Sequence, residues 1–236
     1  MERGAVPALV AEAFGTFLFF SVGAGAVVVA ATAEGGGGGL VGVALAHGLV
    51  LAVLVSALAA VSGGHFNPAV TFGVWVAGRI QTTLALGYVA AQLVGALAAG
   101  LFLRAIFDPS VDPTGLGTPA LGPDIGPPTG ILVEAVLTLV LLTAVFGTAV
   151  DPRAPRLGGF AIGLAVAADI LFGGPLTGAA MNPARWFGPA VVAGRLADWY
   201  VWWVGPLLGA AIVGLLYRSV FLPASEPGRV PAAPEG

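Results

Sequence analysis

The sequence predicts an all-α membrane protein with six transmembrane helices and two re-entrant half-helices, arranged as an inverted three-plus-three repeat. Three observations carry that expectation: a composition too apolar for water, six apolar runs of spanning length, and a tripeptide that recurs in equivalent places of two halves. Of 236 residues, 58% are hydrophobic and 9% charged, against roughly 25% charged in a typical soluble domain. A globule of that composition has too little polar surface to cover itself, so its solvent is lipid. The same figures exclude other classes. Net charge is −3 and every basic residue is Arg, so no basic face is available for nucleic acid. Cysteine is absent, which excludes disulfides and thiolate metal sites. His47 and His65 are the only histidines, too few for a histidine-rich cluster, and neither metal nor cofactor is expected.

A hydrocarbon core of about 30 Å needs about 20 apolar residues in a helix. Runs that meet this lie near Val6–Ala31, Leu40–Ala60, Thr83–Leu103, Gly130–Val150 and Trp199–Val220, with a shorter one at Leu157–Phe172. The first is longer than the apolar region of a signal peptide and contains Glu12, so it reads as a retained span despite Ala31-Thr32-Ala33. Asn67–Ala77 and Asn182–Ala193 are too short to cross. About 11 residues at 1.5 Å rise make a half-span of roughly 16 Å. These elements form one polytopic channel domain over residues 1–222, with repeats at about 7–104 and 129–220. The proline-containing stretch 223–236 reads as a disordered tail.

Arginine placement orients the chain. With the N-terminus inside, Arg3, Arg79, Arg153, Arg156, Arg218 and Arg229 lie on the inner side, and Arg104 and Arg195 on the outer. This obeys the positive-inside rule. Both termini are then cytoplasmic and the acidic loop with Asp108, Asp112 and Asp124 faces out; the plasma (inner) membrane is the expected location.

The halves repeat. Glu12-Ala13-Phe14 is echoed by Glu134-Ala135-Val136, Asn67-Pro68-Ala69 by Asn182-Pro183-Ala184, and Gln92–Ala96 by Pro206–Ala210. Each half holds three spans, an odd number, so the two insert with opposite polarity, which puts the functional site near the midplane. Asn is a good N-cap and Pro suits the first helical position, so each tripeptide starts a short helix. The preceding Ser62-Gly63-Gly64 and Gly173-Gly174-Pro175, with Thr177-Gly178, permit non-helical backbone there. Entering from opposite faces, the two half-helices meet at their N-termini near the centre. Two positive dipole ends and two Asn amides then face one narrow space, where water can accept hydrogen bonds and a cation is repelled.

The runs Ser62-Gly63-Gly64-His65-Phe66-Asn67-Pro68-Ala69-Val70-Thr71 and Met181-Asn182-Pro183-Ala184-Arg185 resemble the two signature loops of the aquaporin (major intrinsic protein) family. Glu12-x-x-Gly15-Thr16-Phe17, Glu134-Ala135 and Trp202–Pro206 are similar to family elements as well, so the resemblance covers about residues 8–220. It implies an hourglass monomer, a homotetramer with one pore per subunit, and passive passage of water. It further implies an outer selectivity filter at His47, Ile170, Ala179 and Arg185, a set most similar to the plant vacuolar (tonoplast) subgroup. Such filters are associated with water, hydrogen peroxide and sometimes ammonia or urea. Glycerol channels carry an acidic residue after the filter Arg and a basic one four positions on; Trp186 and Ala190 stand there, against glycerol. Without a cysteine, transport is expected to be insensitive to mercurials.

Each of these residues has a plainer reading. Arg185 within an apolar stretch is costly, and the filter reading is preferred to a snorkelling interfacial residue. His47 is expected to line the lumen rather than to satisfy a carbonyl, and His65 to brace the first loop. Glu12 and Glu134 head their own halves, so they are expected to accept bonds from loop backbone rather than to perform acid–base chemistry. Asp169, where the subgroup usually has Asn, reads as a partner for loop backbone, with an outer-vestibule attractor of cations as the alternative. Trp199, Trp202 and Trp203 read as an interfacial anchor, and Gly23, Gly25, Gly95 and Gly209 as close helix contacts. The rival to a channel is an inverted-repeat secondary transporter for a small solute; it would need intramembrane acidic coupling groups, and only Glu12, Glu134 and Asp169 are candidates. An enzyme is not expected, since no nucleophile–base pair stands at recognisable spacing.

Overall fold

The computed structural model describes residues 4–153, 155 and 157–222; the predicted tail and Arg3, Arg156 and Arg229 lie outside them. Eight α-helices follow one another with no strand among the described residues: α1 (Ala5–Thr32), α2 (Gly39–Ser62), α3 (Pro68–Val76), α4 (Thr82–Ile106), α5 (Pro127–Val145), α6 (Phe160–Thr177), α7 (Pro183–Ala193) and α8 (Val201–Leu216). Turns of π-helix prolong α5 over Phe146–Val150 and α8 over Tyr217–Phe221. Six of these elements are long and apolar enough to cross a membrane, while α3 and α7, at 9 and 11 residues, are not.

Polarity is inverted relative to a soluble protein. Large apolar side chains such as Leu86, Val94, Leu132 and Phe172 face outward, as a lipid environment requires. Glu12, Gln92, Glu134, Asp169 and Arg185 are buried inside.

Within the first half α1 packs on α2 and α4; within the second α5 packs on α6 and α8. The contact of α2 with α6 joins the halves, and the half-helices cross over: α3 lies against α8, and α7 against α4. Equivalent glycines set the closest approaches. A Cβ on Gly95 would stand 2.2 Å from Ala13 O, and one on Gly209 would stand 2.4 Å from Ala135 O. Backbones this close have room for no side chain, so van der Waals contact and interhelical packing replace the hydrophobic effect, which is absent between helices in lipid.

The fifth span differs from expectation. It begins at Phe160 and runs through Gly173, Gly174 and Pro175 to Thr177, so the break falls at Gly178 and not before it. Pro175 forfeits only the bond to the Leu171 carbonyl, a single loss close to the helix end.

Candidate functional site

The two half-helices begin alike. Asn67 and Asn182 have extended backbone and cap them, with Asn67 Oδ1 accepting from the Ala69 N–H at 2.8 Å and Asn182 Oδ1 from the Ala184 N–H at 3.0 Å. Pro68 and Pro183 occupy the first helical positions, where the missing N–H costs nothing. Each amide also reaches across to the opposite loop. Asn67 Nδ2 donates to Met181 O and Asn182 Nδ2 to Phe66 O, both at 3.0 Å. The N-termini of α3 and α7 are thereby tied head to head.

The residue before each Asn is strained, with φ of 47° at Phe66 and 53° at Met181. Side chains rarely adopt this left-handed backbone, at a cost of about 1–3 kcal/mol each. Two buried carboxyls hold it. Glu12 Oε1 accepts from Ser62 Oγ (2.7 Å) and the His65 N–H (2.9 Å), and Oε2 from the Phe66 N–H (2.7 Å) and Gln92 Nε2 (2.8 Å). Glu134 repeats the pattern with Thr177 Oγ1 (2.7 Å), the Ala180 N–H (2.9 Å) and the Met181 N–H (2.6 Å). Every partner is a donor, so both side chains serve as acceptors for loop backbone that lipid could not satisfy. His65 adds a ring contact, Nδ1 to Thr71 Oγ1 at 3.0 Å.

A cavity of about 450 Å³ runs between the repeats. His47, Leu51 and Val55 line it on successive turns of α2, and Ile162, Val166 and Ile170 on successive turns of α6. Asn67 and Asn182 stand in its wall, as do both non-helical loops, including Ala179. The four residues assigned to an outer filter from the sequence are therefore brought to one lumen. Arg185 is 4% exposed; its Nε donates to His47 Nε2 at 3.2 Å and its Nη1 to Gly117 O at 2.8 Å. His47 Nδ1 faces Val43 O at 2.9 Å, so Nδ1 carries the proton and Nε2 is the acceptor. The guanidinium is thus fixed on two sides where Arg185 lines the cavity.

Several expectations need correction. Asp169 is buried, but it takes no part in the cavity wall and makes no hydrogen bond to loop backbone; its Oδ2 has no partner among the described residues. Trp202 is not an interfacial anchor. It is 2% exposed, donates Nε1–H to Thr177 O at 3.0 Å and stacks on Trp186, while Trp199 lies exposed. Gly23 makes room for a side chain and not for a helix: a Cβ there would stand 2.5 Å from the His47 ring. The sequence reading missed Gly117, because a loop carbonyl leaves no residue signature. It also gave no site part to Tyr88, whose hydroxyl donates to Ser62 O at 2.7 Å. The signal for Tyr88 was available, since it occupies in the first half the place of Trp202 in the second.

Fold and site together define a multi-pass membrane protein whose two opposed half-helices open on one narrow lumen: a channel. The family model for the major intrinsic protein matches residues 2–217, and relatives agree. Aquaporin TIP4-4 of Zea mays is 49% identical over 227 residues, covering 94% of this chain and 89% of the relative. Aquaporin TIP2-1 of Arabidopsis thaliana is 41% identical over 226 residues, covering 93% and 89%. The X-ray structure of the aquaglyceroporin from Plasmodium falciparum superposes with a TM-score of 0.77 at 23% identity, covering 92% of this chain and 97% of that one, a likeness of fold. The chain belongs to the major intrinsic protein family, and it is a channel for water or small solutes and not an enzyme.

Proposed function

We propose that this protein conducts water passively and in both directions, and that ammonia, urea or hydrogen peroxide pass with it while ions and protons do not. The observation that carries the reading is the exchange of amide bonds between Asn67 and Asn182 at the facing starts of α3 and α7. Each Nδ2 has two hydrogens and one protein acceptor, so one N–H per amide is left for a molecule in the lumen. A water there accepts two bonds through its oxygen, which turns its own hydrogens away and interrupts a proton wire. The positive ends of two half-helix dipoles repel cations at the same point.

At the outer constriction Arg185 and His47 supply the polar side, and Ile170 and Ala179 the apolar side. Glu12, Glu134 and His65 hold the loops. A coupled transporter is less well supported, because both glutamates are saturated by loop donors and Asp169 is not in the cavity wall. Passage takes place in a homotetramer with one lumen per subunit, in the plasma membrane with both termini cytoplasmic. The arginine distribution supports that orientation.

Stopped-flow light scattering on proteoliposomes tests the reading. Osmotic shrinkage much faster than in empty liposomes, with low activation energy, is the expected outcome. Shrinkage no faster than in empty liposomes, from folded protein, would overturn it.

A further inference from the structure

The outer loop between α4 and α5 is not a slack connection. Asp112, Gly115, Leu116, Gly117 and Pro119 are buried in it, and Leu116 packs with Ala24 and Leu103 in a small apolar cluster of its own. Gly117 has φ of 70°, and a Cβ on it would stand 2.4 Å from Ala24 O. The turn therefore sits directly on α1. Its far side is fixed too, since the Gly122 N–H donates to Leu176 O at 2.8 Å at the end of α6.

One side chain organises this turn. Asp112 Oδ1 accepts from the Thr114 N–H (2.8 Å) and from Thr114 Oγ1 (2.5 Å), and Oδ2 accepts from the Leu116 N–H (2.6 Å). Thr114 Oγ1 in turn accepts from the Gly117 N–H at 2.8 Å. Gly117 O, on the neighbouring peptide plane, is the carbonyl that receives Arg185 Nη1. The Arg195 guanidinium lies against Gly115, where it covers the turn from the α7 side.

We infer that Asp112 is a positioning residue for solute selectivity: through Thr114 it fixes the Gly117 carbonyl, and through that carbonyl it fixes the Arg185 guanidinium at the outer constriction. Asp112 touches no permeating molecule. It sets the width of the opening by denying Arg185 a second conformation. Ionised carboxylates accept shorter and stronger bonds than neutral groups, which suits Asp to a turn closed by three donors. The inference rests on the channel reading and adds to it a residue remote from the lumen that tunes what passes.

The test compares osmotic water flux with urea flux in proteoliposomes of the full chain for wild type, Asp112→Ala, Asp112→Asn, Arg185→Val and Asp112→Ala with Arg185→Val. The urea-to-water ratio in Asp112→Ala should rise about fivefold, the weight of about one hydrogen bond at the constriction. Asp112→Asn keeps the Oδ1 acceptor and should fall between Ala and wild type. The ratio of the double variant should equal that of Arg185→Val alone, because without the guanidinium there is nothing left to position. A merely structural loss would lower both fluxes together and leave the ratio unmoved. An unchanged ratio in Asp112→Ala, with normal water flux in wild type and a raised ratio in Arg185→Val, would overturn this inference alone, as would additive effects in the double variant. Wild-type water flux equal to that of empty liposomes would overturn the channel reading and this inference with it.

Discussion

The two repeats build the same loop in different surroundings. Glu12 and Glu134 take matching bonds from Ser62 and Thr177, from His65 and Ala180, and from Phe66 and Met181. Tyr88 and Trp202 stand in equivalent places, and each donates to the carbonyl that ends the preceding span. Beyond this shell the halves part. In the first, Gln92 Nε2 bridges Glu12 and Thr71, and the His65 ring also meets Thr71. In the second, the places of Thr71 and Gln92 are held by Trp186 and Pro206, and Trp186 stacks on Trp202 with ring centroids 5.7 Å apart. Three residues after the capping Asn, the first half presents Val70 to the lumen and the second Arg185. The two halves thus divide the labour. Symmetry supplies the scaffold that ties two half-helices together, and departures from symmetry put a guanidinium in the lumen wall of one half and an apolar side chain in that of the other.

The largest effects are expected at the braces. Glu12→Ala and Glu134→Ala each strand three or more buried donors, and each should cost about 3–5 kcal/mol, read as a large fall in the thermal midpoint of the detergent-solubilised protein. Glu12→Ala should cost somewhat less, because Gln92 Nε2 keeps its existing bond to Thr71 Oγ1. A loss at one Glu only would show that the two loops are not energetically equivalent. Next in size is the lumen pair. Arg185→Val, which makes the second half resemble the first, should raise the urea-to-water flux ratio about tenfold, or about 1.4 kcal/mol of discrimination. Val70→Leu should change it less than about twofold; comparable shifts would mean that both halves select.

The carbonyl donors come third. Tyr88→Phe removes one bond and should destabilise by about 1 kcal/mol. Trp202→Phe loses the bond and also the fit against Trp186, so about 2–3 kcal/mol is expected, both by thermal unfolding. Equal losses would argue that the stack contributes nothing. The smallest effect concerns pH on the side of the membrane that the Asp112 loop faces. Burial raises the Asp112 carboxyl, but the hydrogen bonds from Thr114 and Leu116 and the nearby Arg195 outweigh it and hold it below the usual aspartate range. A lowered carboxyl stabilises above its ordinary value, and the contribution is lost only as pH falls through the lowered one. The solute ratio should therefore stay flat from neutral pH down to the ordinary carboxylate range and relax only below it. A change near neutrality would point to a different titrating group.

How much was legible follows from what is local. The six spans could be read because bilayer thickness sets a length that apolar runs either reach or miss. Asn67-Pro68 and Asn182-Pro183 could be read as half-helix starts because capping involves residues two apart. Glu12 and Glu134 were legible through their repeat. Asp169 was not: its sequence neighbours suggested a loop partner, and in the fold it is buried with its Oδ2 unpartnered among the described residues. Trp202 was misread because an aromatic near a helix end looks the same from the sequence whether it faces lipid or Trp186.

The sequence alone thus determined the medium, the number of crossings, the opposed polarity of the halves and the residues that start each half-helix, since all of these follow from composition, length and spacing. Tertiary structure alone decided the partners. Asn67 meets Met181 across 114 positions, Arg185 meets Gly117 across 68 and His47 across 138. Which backbone carbonyl lies beside which side chain depends on how deeply helices abut and where a loop folds back, and the spacing along one chain does not encode that.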